Sequence, residues 1–200
     1  HEVMGLQVDL LRQAGISERI AQELLDERKN EVERNILAQN HNRAVDIARL
    51  LNLPFMCMHT PADNHVYRFL KELMERRKPK VVGNIIDILL GIPEYQQAQE
   101  NMTGPRIILG APKKQVGKIL FEMTGGTEGS KDAFDKLYKA GVRTLISMHL
   151  SEAHLKKARE ANLNIVIAGH ISSDVLGLNL ILDGIEKEEK YYDLAVKRLL

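Results

Sequence analysis

The apolar positions change period along the chain. Over roughly the first hundred residues they recur at helical spacing. A pattern over 3–13 is stopped by Gly15 and restarted at Ser17, and Ser17-Glu18 opens a charged helix to about Arg28. Ile36, Leu37, Ala44, Val45, Ile47, Ala48 and Leu51 then mark one long amphipathic helix over 31–51, which Asn52 and Pro54 end. Pro61 suits the first turn of another helix, with Val66, Phe69, Leu70 and Leu73 on one face and a basic end at 75–79. An apolar helix over 81–90 is closed by Gly91 and Pro93. A polar helix over 94–101 and a further helix over 113–123 are expected beyond it.

Shorter segments rich in apolar residues at 55–58, 106–109, 142–148 and 163–168 read as strands, with 163–168 the one that reads as buried. The last third alternates: helix 131–140, strand 142–148, helix 151–161, strand 163–168, a helix over about 174–184 and a terminal helix from about Lys187. Strands alternating with helices predict an α/β fold, and such sheets hold ligands beyond the carboxyl ends of their strands. Two of these strand ends share a wording. Ala48-Arg49 leads through Leu53 into 54–58 and then His59-Thr60-Pro61-Ala62-Asp63; Ala158-Arg159 leads through Leu163 into 164–168 and then Gly169, His170 and, four residues on, Asp174.

Imidazoles and carboxylates at strand ends form a mixed nitrogen and oxygen donor set suited to zinc, manganese, iron or cobalt, and too rich in nitrogen for a calcium site. Two similar half-sites packed about a pseudo-twofold axis would converge on one dinuclear centre, whose chemistry is metal-assisted hydrolysis. A plainer reading makes Asp63 and Asp174 helix N-terminal carboxylates and Ser172 a cap. Capping, however, has no use for a His at the same offset twice. His149, at the end of strand 142–148, reads as an added ligand, a proton shuttle or a substrate contact, or as a satisfied histidine at a helix start. His41, His65 and His154 lie on expected helices and read as solvated. The loop 125–130, Gly-Gly-Thr-Glu-Gly-Ser, could cradle a phosphate through its N–H groups, but it lacks the lysine of a P-loop and follows an expected helix; a flexible connection is its other reading.

Composition narrows the setting. Two hundred residues with 44% apolar content suffice for one large domain or two small lobes, and a net charge of +1 gives no electrostatic reason to bind nucleic acid or an anionic membrane. The basic run at 75–79 has no interleaved aromatics and reads as a solvated helix end. One cysteine, Cys57, rules out an intrachain disulfide and points to a reducing, cytoplasmic setting. No apolar run approaches the roughly 20 residues that span a bilayer, and no signal-peptide pattern is visible.

His59-Thr60-Pro61-Ala62-Asp63 and Gly169-His170-Ile171-Ser172-Ser173-Asp174 resemble the two downstream motifs of the NIF-three-like family, the type 2 homologues of GTP cyclohydrolase I. The first family motif reads His-Thr-Asn-Leu-Asp; here Pro61 and Ala62 replace its centre. The second reads Gly-His-x-x-Ser-Glu; here the carboxylate is the shorter Asp174. The resemblance extends from about Arg43 to Leu182, and the 125–130 loop is similar to the family's glycine-rich turn. It implies an α/β fold of two related lobes with mixed sheets flanked by helices, with halves at about 1–103 and 104–200. It also implies a toroidal homohexamer and a dinuclear centre facing an internal cavity. By motif match Asp63, His170 and Asp174 would bind metal, and His59 would be a ligand or a near neighbour. The family's His-His-Pro motif has no counterpart in the chain; it is expected before His1, with an N-terminal strand. The expected function is a metal-dependent hydrolase of a small polar or nucleotide-like molecule with two divalent ions per chain and no assigned general acid. The alternative is a non-catalytic metal-containing scaffold or regulator, and a third reading is a phosphate-ligand domain centred on 125–130.

Overall fold

The computed structural model describes residues 2–35 and 38–188. A 3-10 turn, Glu2–Gly5, leads into α1 (Leu6–Ala14), followed by α2 (Glu18–Asn35), α3 (Ala38–Leu50), α4 (His59–Arg77), α5 (Val82–Leu90) and α6 (Pro93–Glu100). Then come β1 (Arg106–Leu109), β2 (Lys118–Glu122), α7 (Phe134–Lys139), β3 (Val142–Ser147), α8 (Glu152–Glu160), β4 (Asn164–Ile167) and α9 (His170–Lys187). Local chemistry sets several of these boundaries. Gly15 takes φ 102° and returns its N–H to the end of α1, Pro93 sits in the first turn of α6, and Ser151 caps α8 by accepting from the His154 N–H.

The sheet runs β1-β4-β3-β2, with β2, β3 and β4 parallel and β1 antiparallel to β4. Alternate residues of β3 and β4 serve two cores. Ile146 and Val166 pack with Val66, Leu70, Ile85, Leu89 and Tyr95 of α4, α5 and α6. Leu145 and Ile165 pack on the other face with Leu11, Leu24, Phe134 and Leu137 of α1, α2 and α7. Both faces are covered, so apolar residues stand side by side in sequence at Leu145-Ile146 and Ile165-Val166. Parallel order places the carboxyl ends of β2, β3 and β4 on one edge. Among the described residues no helix is long and apolar enough to cross a membrane.

The α/β expectation holds: helices flank a mixed sheet. Among the described residues that sheet is single, with all four strands drawn from 106–167 and helices supplied by both halves. Four expectations are corrected. The helix opened at Ser17-Glu18 does not stop near Arg28 but runs unbroken to Asn35. The run 55–58 is not a strand; Phe55 is 52% and Met56 65% exposed and Cys57 is exposed with them. A lone apolar run with no neighbouring strand leaves its N–H and C=O groups to water. Within 113–123 the helix gives way to β2, because Gly117 turns the chain at φ 60° and Ile119 to Glu122 pair with β3. The helix expected from Asp174 begins at His170 and runs to Lys187. Ile36, Leu37 and the terminal helix beyond 188 lie outside the described residues.

Candidate metal centre

Two helices carry the site. His59 opens α4 with Asp63 one turn on, and His170 opens α9 with Asp174 one turn on; i,i+4 spacing stacks each His over its carboxylate. The helices cross where Gly177 meets Ala62, so closely that a Cβ on Gly177 would fall 2.4 Å from the Ala62 carbonyl oxygen. This crossing brings the two pairs together. His59 Nε2 lies 3.2 Å from His170 Nε2, 3.7 Å from Asp63 Oδ1 and 3.8 Å from Asp174 Oδ1. His170 Nε2 lies 3.7 Å from Asp174 Oδ2. Donor atoms of His59, His170 and Asp174 all fall within 4.8 Å of one another. Two imidazole nitrogens on one tetrahedral zinc are ~3.3 Å apart, given bonds of about 2.0–2.1 Å, so the spacing suits a shared ion.

The turn before α9 is held from behind. Gly169 takes φ 106° and ψ 131°, a conformation costly for any residue with a Cβ. Ser173 donates its hydroxyl to the Gly169 carbonyl at 2.5 Å and pairs with the Tyr95 hydroxyl at 2.9 Å, and Tyr95 and Ser173 are both fully buried. Burial pushes the Tyr95 phenol up, which keeps it neutral. Tyr95 gave no signal of this role in the sequence, since it sits among polar residues of α6.

Facing the helices are the ends of β2 and β3. The His149 ring lies 5.0 Å from that of His170, and its Nδ1 is 3.5 Å from Glu128 Oε1. Glu128 Oε2 lies 3.2 Å from His154 Nδ1, and the Ser151 N–H donates to Oε1. His154 is thus buried, not solvated: Nδ1 pairs with Ser151 Oγ at 2.7 Å and Nε2 with the Gly129 carbonyl at 2.8 Å. His65 is exposed, as expected, and the His41 side chain lies outside the described residues. The 125–130 loop follows a strand and is fastened. Gln7 donates to the Thr127 carbonyl, Arg28 donates to the Glu128 carbonyl and the Thr127 hydroxyl, and the Gly129 N–H is taken by Glu122 Oε1 at 2.7 Å. It is a wall of the site. A cleft of about 60 Å³ is lined by His59, Asp63, Glu122, Glu128, His149 and His170 among others.

Glu122 and Glu128 escaped sequence reading because the first stood inside an expected helix and the second inside a loop read as a connector. Electrostatics tie them to the rest. Burial pushes the Asp63 carboxyl up to about 6, against the pull of His59, and pushes Glu122 up as well. Burial would also raise Glu128, but hydrogen bonding to His149, the charge of His154 and the Ser151 N–H outweigh it and hold the carboxyl at about 2. Glu128 in turn raises His149, while burial lowers His170.

Asp63 Oδ1 and Asp174 Oδ1 are enclosed and have no hydrogen-bond partner. An enclosed carboxylate oxygen without a partner is costly unless a cation or proton meets it, so these residues fit a divalent ion. All four residues singled out as ligands, and His149 beside them, are brought to one place, although His59 arrives from a coil and not from a strand.

No protein-family model matches the chain, and no curated protein matches it. A search of solved structures finds similarity to the crystal structure of a NIF3 superfamily protein from Sphaerobacter thermophilus, with 27% identity over 94% of this chain and 69% of that one and a TM-score of 0.76.

Proposed function

From the NIF3-like fold that this chain adopts, we propose that it is a metal-dependent hydrolase of a small polar or nucleotide-like molecule, working at a dinuclear centre. The observation that carries the reading is the meeting of His59, His170 and Asp174 donor atoms within 4.8 Å beside partnerless carboxylate oxygens. Divalent ions there would supply a polarising charge and a water acidic enough to be deprotonated near neutral pH. His59, Asp63, His170 and Asp174 would hold them. The cleft walls would orient a substrate, with the Thr127 hydroxyl on the lining. His149, kept above its ordinary value by Glu128, stands where it can give or take a proton on a bound molecule.

Elemental analysis of the untagged chain beside a His170→Ala, Asp174→Ala variant tests the centre, and a panel of amide, cyclic-imine and phosphoester substrates tests turnover. Near two ions per chain, lost from a folded variant, with turnover abolished by Asp63→Ala, is the expected result. Absence of metal after reconstitution would sink it.

A second reading has its own observation. Ile171, Val175, Leu178 and Leu182 leave an exposed apolar stripe along α9, with Ile171 81% exposed. Such a face supports a homo-oligomer, a hexamer by the NIF-three-like resemblance, in which metal serves a scaffold. Tight metal with no turnover across the panel would favour it.

A further inference from the structure

Away from the metal centre, a cavity of about 580 Å³ runs along the outer edge of β2, and residues 116–121 line it. β2 ends the sheet and pairs with β3 alone, so alternate residues turn their N–H and C=O groups outward instead of to a neighbouring strand. The two helices beside the cavity belong to opposite faces of the sheet, α4 to one core and α1 to the other. They meet around the edge through Gln13 of α1, whose Oε1 accepts from Lys71 Nζ at 3.0 Å and from the Tyr67 hydroxyl at 3.3 Å. An extended chain adding to β2 would have to break that clasp. The enclosed space suits a small molecule instead, and its volume falls within the roughly 300–1,000 Å³ of ligand pockets.

The lining is of two kinds. Leu10, Met74, Ile119 and Phe121 supply apolar walls. Lys71, Lys78 and Lys118 stand there against a single carboxylate, Glu75, which leaves an excess of formal positive charge. The partners that hold two of these ammonium groups are neutral: Gln13 Oε1 for Lys71 and, at 2.6 Å, the Ala14 carbonyl for Lys118. An ammonium carries three N–H donors, so each keeps capacity for an anion. The Tyr67 ring, with its centre 5.8 Å from Lys71 Nζ and its plane edge-on to Phe121, fixes that lysine beside the apolar wall. The metal cleft has the opposite character: among the described residues no lysine or arginine lines it.

We propose that the cavity at the β2 edge is a second small-molecule site, separate from the metal centre, for an organic anion. The ligand would lay an apolar body against Leu10, Met74 and Phe121 and give one carboxylate, sulfonate or phosphate group to Lys71, Lys78 and Lys118. Outward N–H groups of β2 add donors that favour the same sign of charge.

The probe is anilinonaphthalene sulfonate, an aromatic body with one sulfonate. Its fluorescence titration is run with chelator present, so that metal has no part in the result. The parent is compared with Lys71→Gln, Lys78→Gln, side chains outside both cores, and with Lys156→Gln, Lys187→Gln, which removes the same charge from α8 and α9. Expected are a single probe per chain, binding weakened by ~10-fold in Lys71→Gln, Lys78→Gln, and parent affinity in Lys156→Gln, Lys187→Gln. Octanoate, which joins an apolar chain to one negative charge, should displace the probe. Octylamine, with the opposite charge, and inorganic phosphate, with no apolar body, should not. Equal affinity in the parent and in Lys71→Gln, Lys78→Gln would overturn the inference, as would a loss of binding confined to Lys156→Gln, Lys187→Gln. Displacement by octylamine as readily as by octanoate would reduce the site to an apolar surface and overturn it too. Displacement by phosphate as readily as by octanoate would overturn the apolar half, and a parent that binds no probe would overturn the whole.

Discussion

Replacing Gly177 by Ala should separate the two helices that carry the site. The new Cβ would lie 2.4 Å from the Ala62 carbonyl oxygen, 2.7 Å from its carbon and 2.8 Å from its Cα, all backbone atoms that cannot rotate away. Ordinary contact begins at 3.4 Å, so α4 and α9 must part by about 1.0 Å, the difference between 3.4 and 2.4. Ala62 adjoins Asp63, and Gly177 is three residues from Asp174, so the shift reaches the ligands nearly undiminished. The 3.2 Å separation of His59 and His170 nitrogens would open past the ~3.3 Å of a shared tetrahedral ion. Two energies oppose each other. Alanine in a helix interior gains about 1 kcal/mol over glycine, and overpacking costs about 1–3 kcal/mol. The net expectation is a loss of about 0–2 kcal/mol and a zinc affinity lowered by an order of magnitude or more. Gly184→Ala is the control, since its Cβ meets nothing within 4 Å on the same helix; it should gain stability and leave zinc binding alone. Urea unfolding and calorimetric zinc titration read both. If Gly177→Ala matched Gly184→Ala in both measurements, the helix crossing would not be what sets the donor spacing.

Asp63 should make the metal-free protein less stable as pH rises: its folded carboxyl, raised from 3.8 to about 6, holds its proton more tightly than the unfolded chain does, so stability falls between about pH 4 and 6 by at most about 3 kcal/mol. Asp63→Asn should flatten that slope in chelator-containing urea melts, and an unchanged slope would refute the burial account. Tyr95→Phe leaves Ser173 its bond to Gly169 but removes the buried pair at 2.9 Å, for an expected loss of about 1 kcal/mol in thermal or urea unfolding. Glu128→Gln removes the partner that raises His149, so the His149 ring followed by NMR should titrate at lower pH than in the parent. Saturating zinc should raise the unfolding midpoint of the parent, by ~4 kcal/mol of linkage at a thousandfold excess over Kd, and leave that of His170→Ala, Asp174→Ala nearly fixed.

The parts of the fold legible in the sequence are those where one local rule decides. β3 and β4 carry apolar residues toward both faces at their centres, α8 has Ser151 as its cap, and α1 ends on Gly15; each is found within a residue or two of its expected place. The errors arise where a distant partner decides. The residues of β2 carry apolar side chains that suit either period, and only pairing with β3 makes them a strand. Residues 55–58 look like a strand, and among the described residues no strand lies beside them. The donor set was legible because His59 with Asp63 and His170 with Asp174 repeat an offset. Glu122, Glu128 and Tyr95 repeat nothing, so their membership depends on which elements fold beside which. His154 misled for the same reason: its neighbours in sequence are charged, while its neighbours in space are Glu128, Ser151 and the Gly129 carbonyl.

The division of labour between helices and sheet follows from what each can hold still. A strand end fixes only the direction in which the chain leaves the sheet, and β2 and β3 use it to aim Glu122 and His149 at one edge. A helix fixes two side chains one turn apart at once, and α4 and α9 each use it for a His and an Asp. Joining two such pairs needs backbones that nearly touch, hence a glycine at 177 and an alanine at 62, and a turn into α9 that glycine alone tolerates at 169. The result encloses Asp63 and Asp174 oxygens that no donor reaches. A chain selected only for stability would have placed apolar groups or a lysine there, at lower cost than enclosed, partnerless carboxylates. That the acids stand there with three histidines lining the cleft, and with Glu128 holding one of them and His154 behind it, is the reason to look for cations before looking for a substrate.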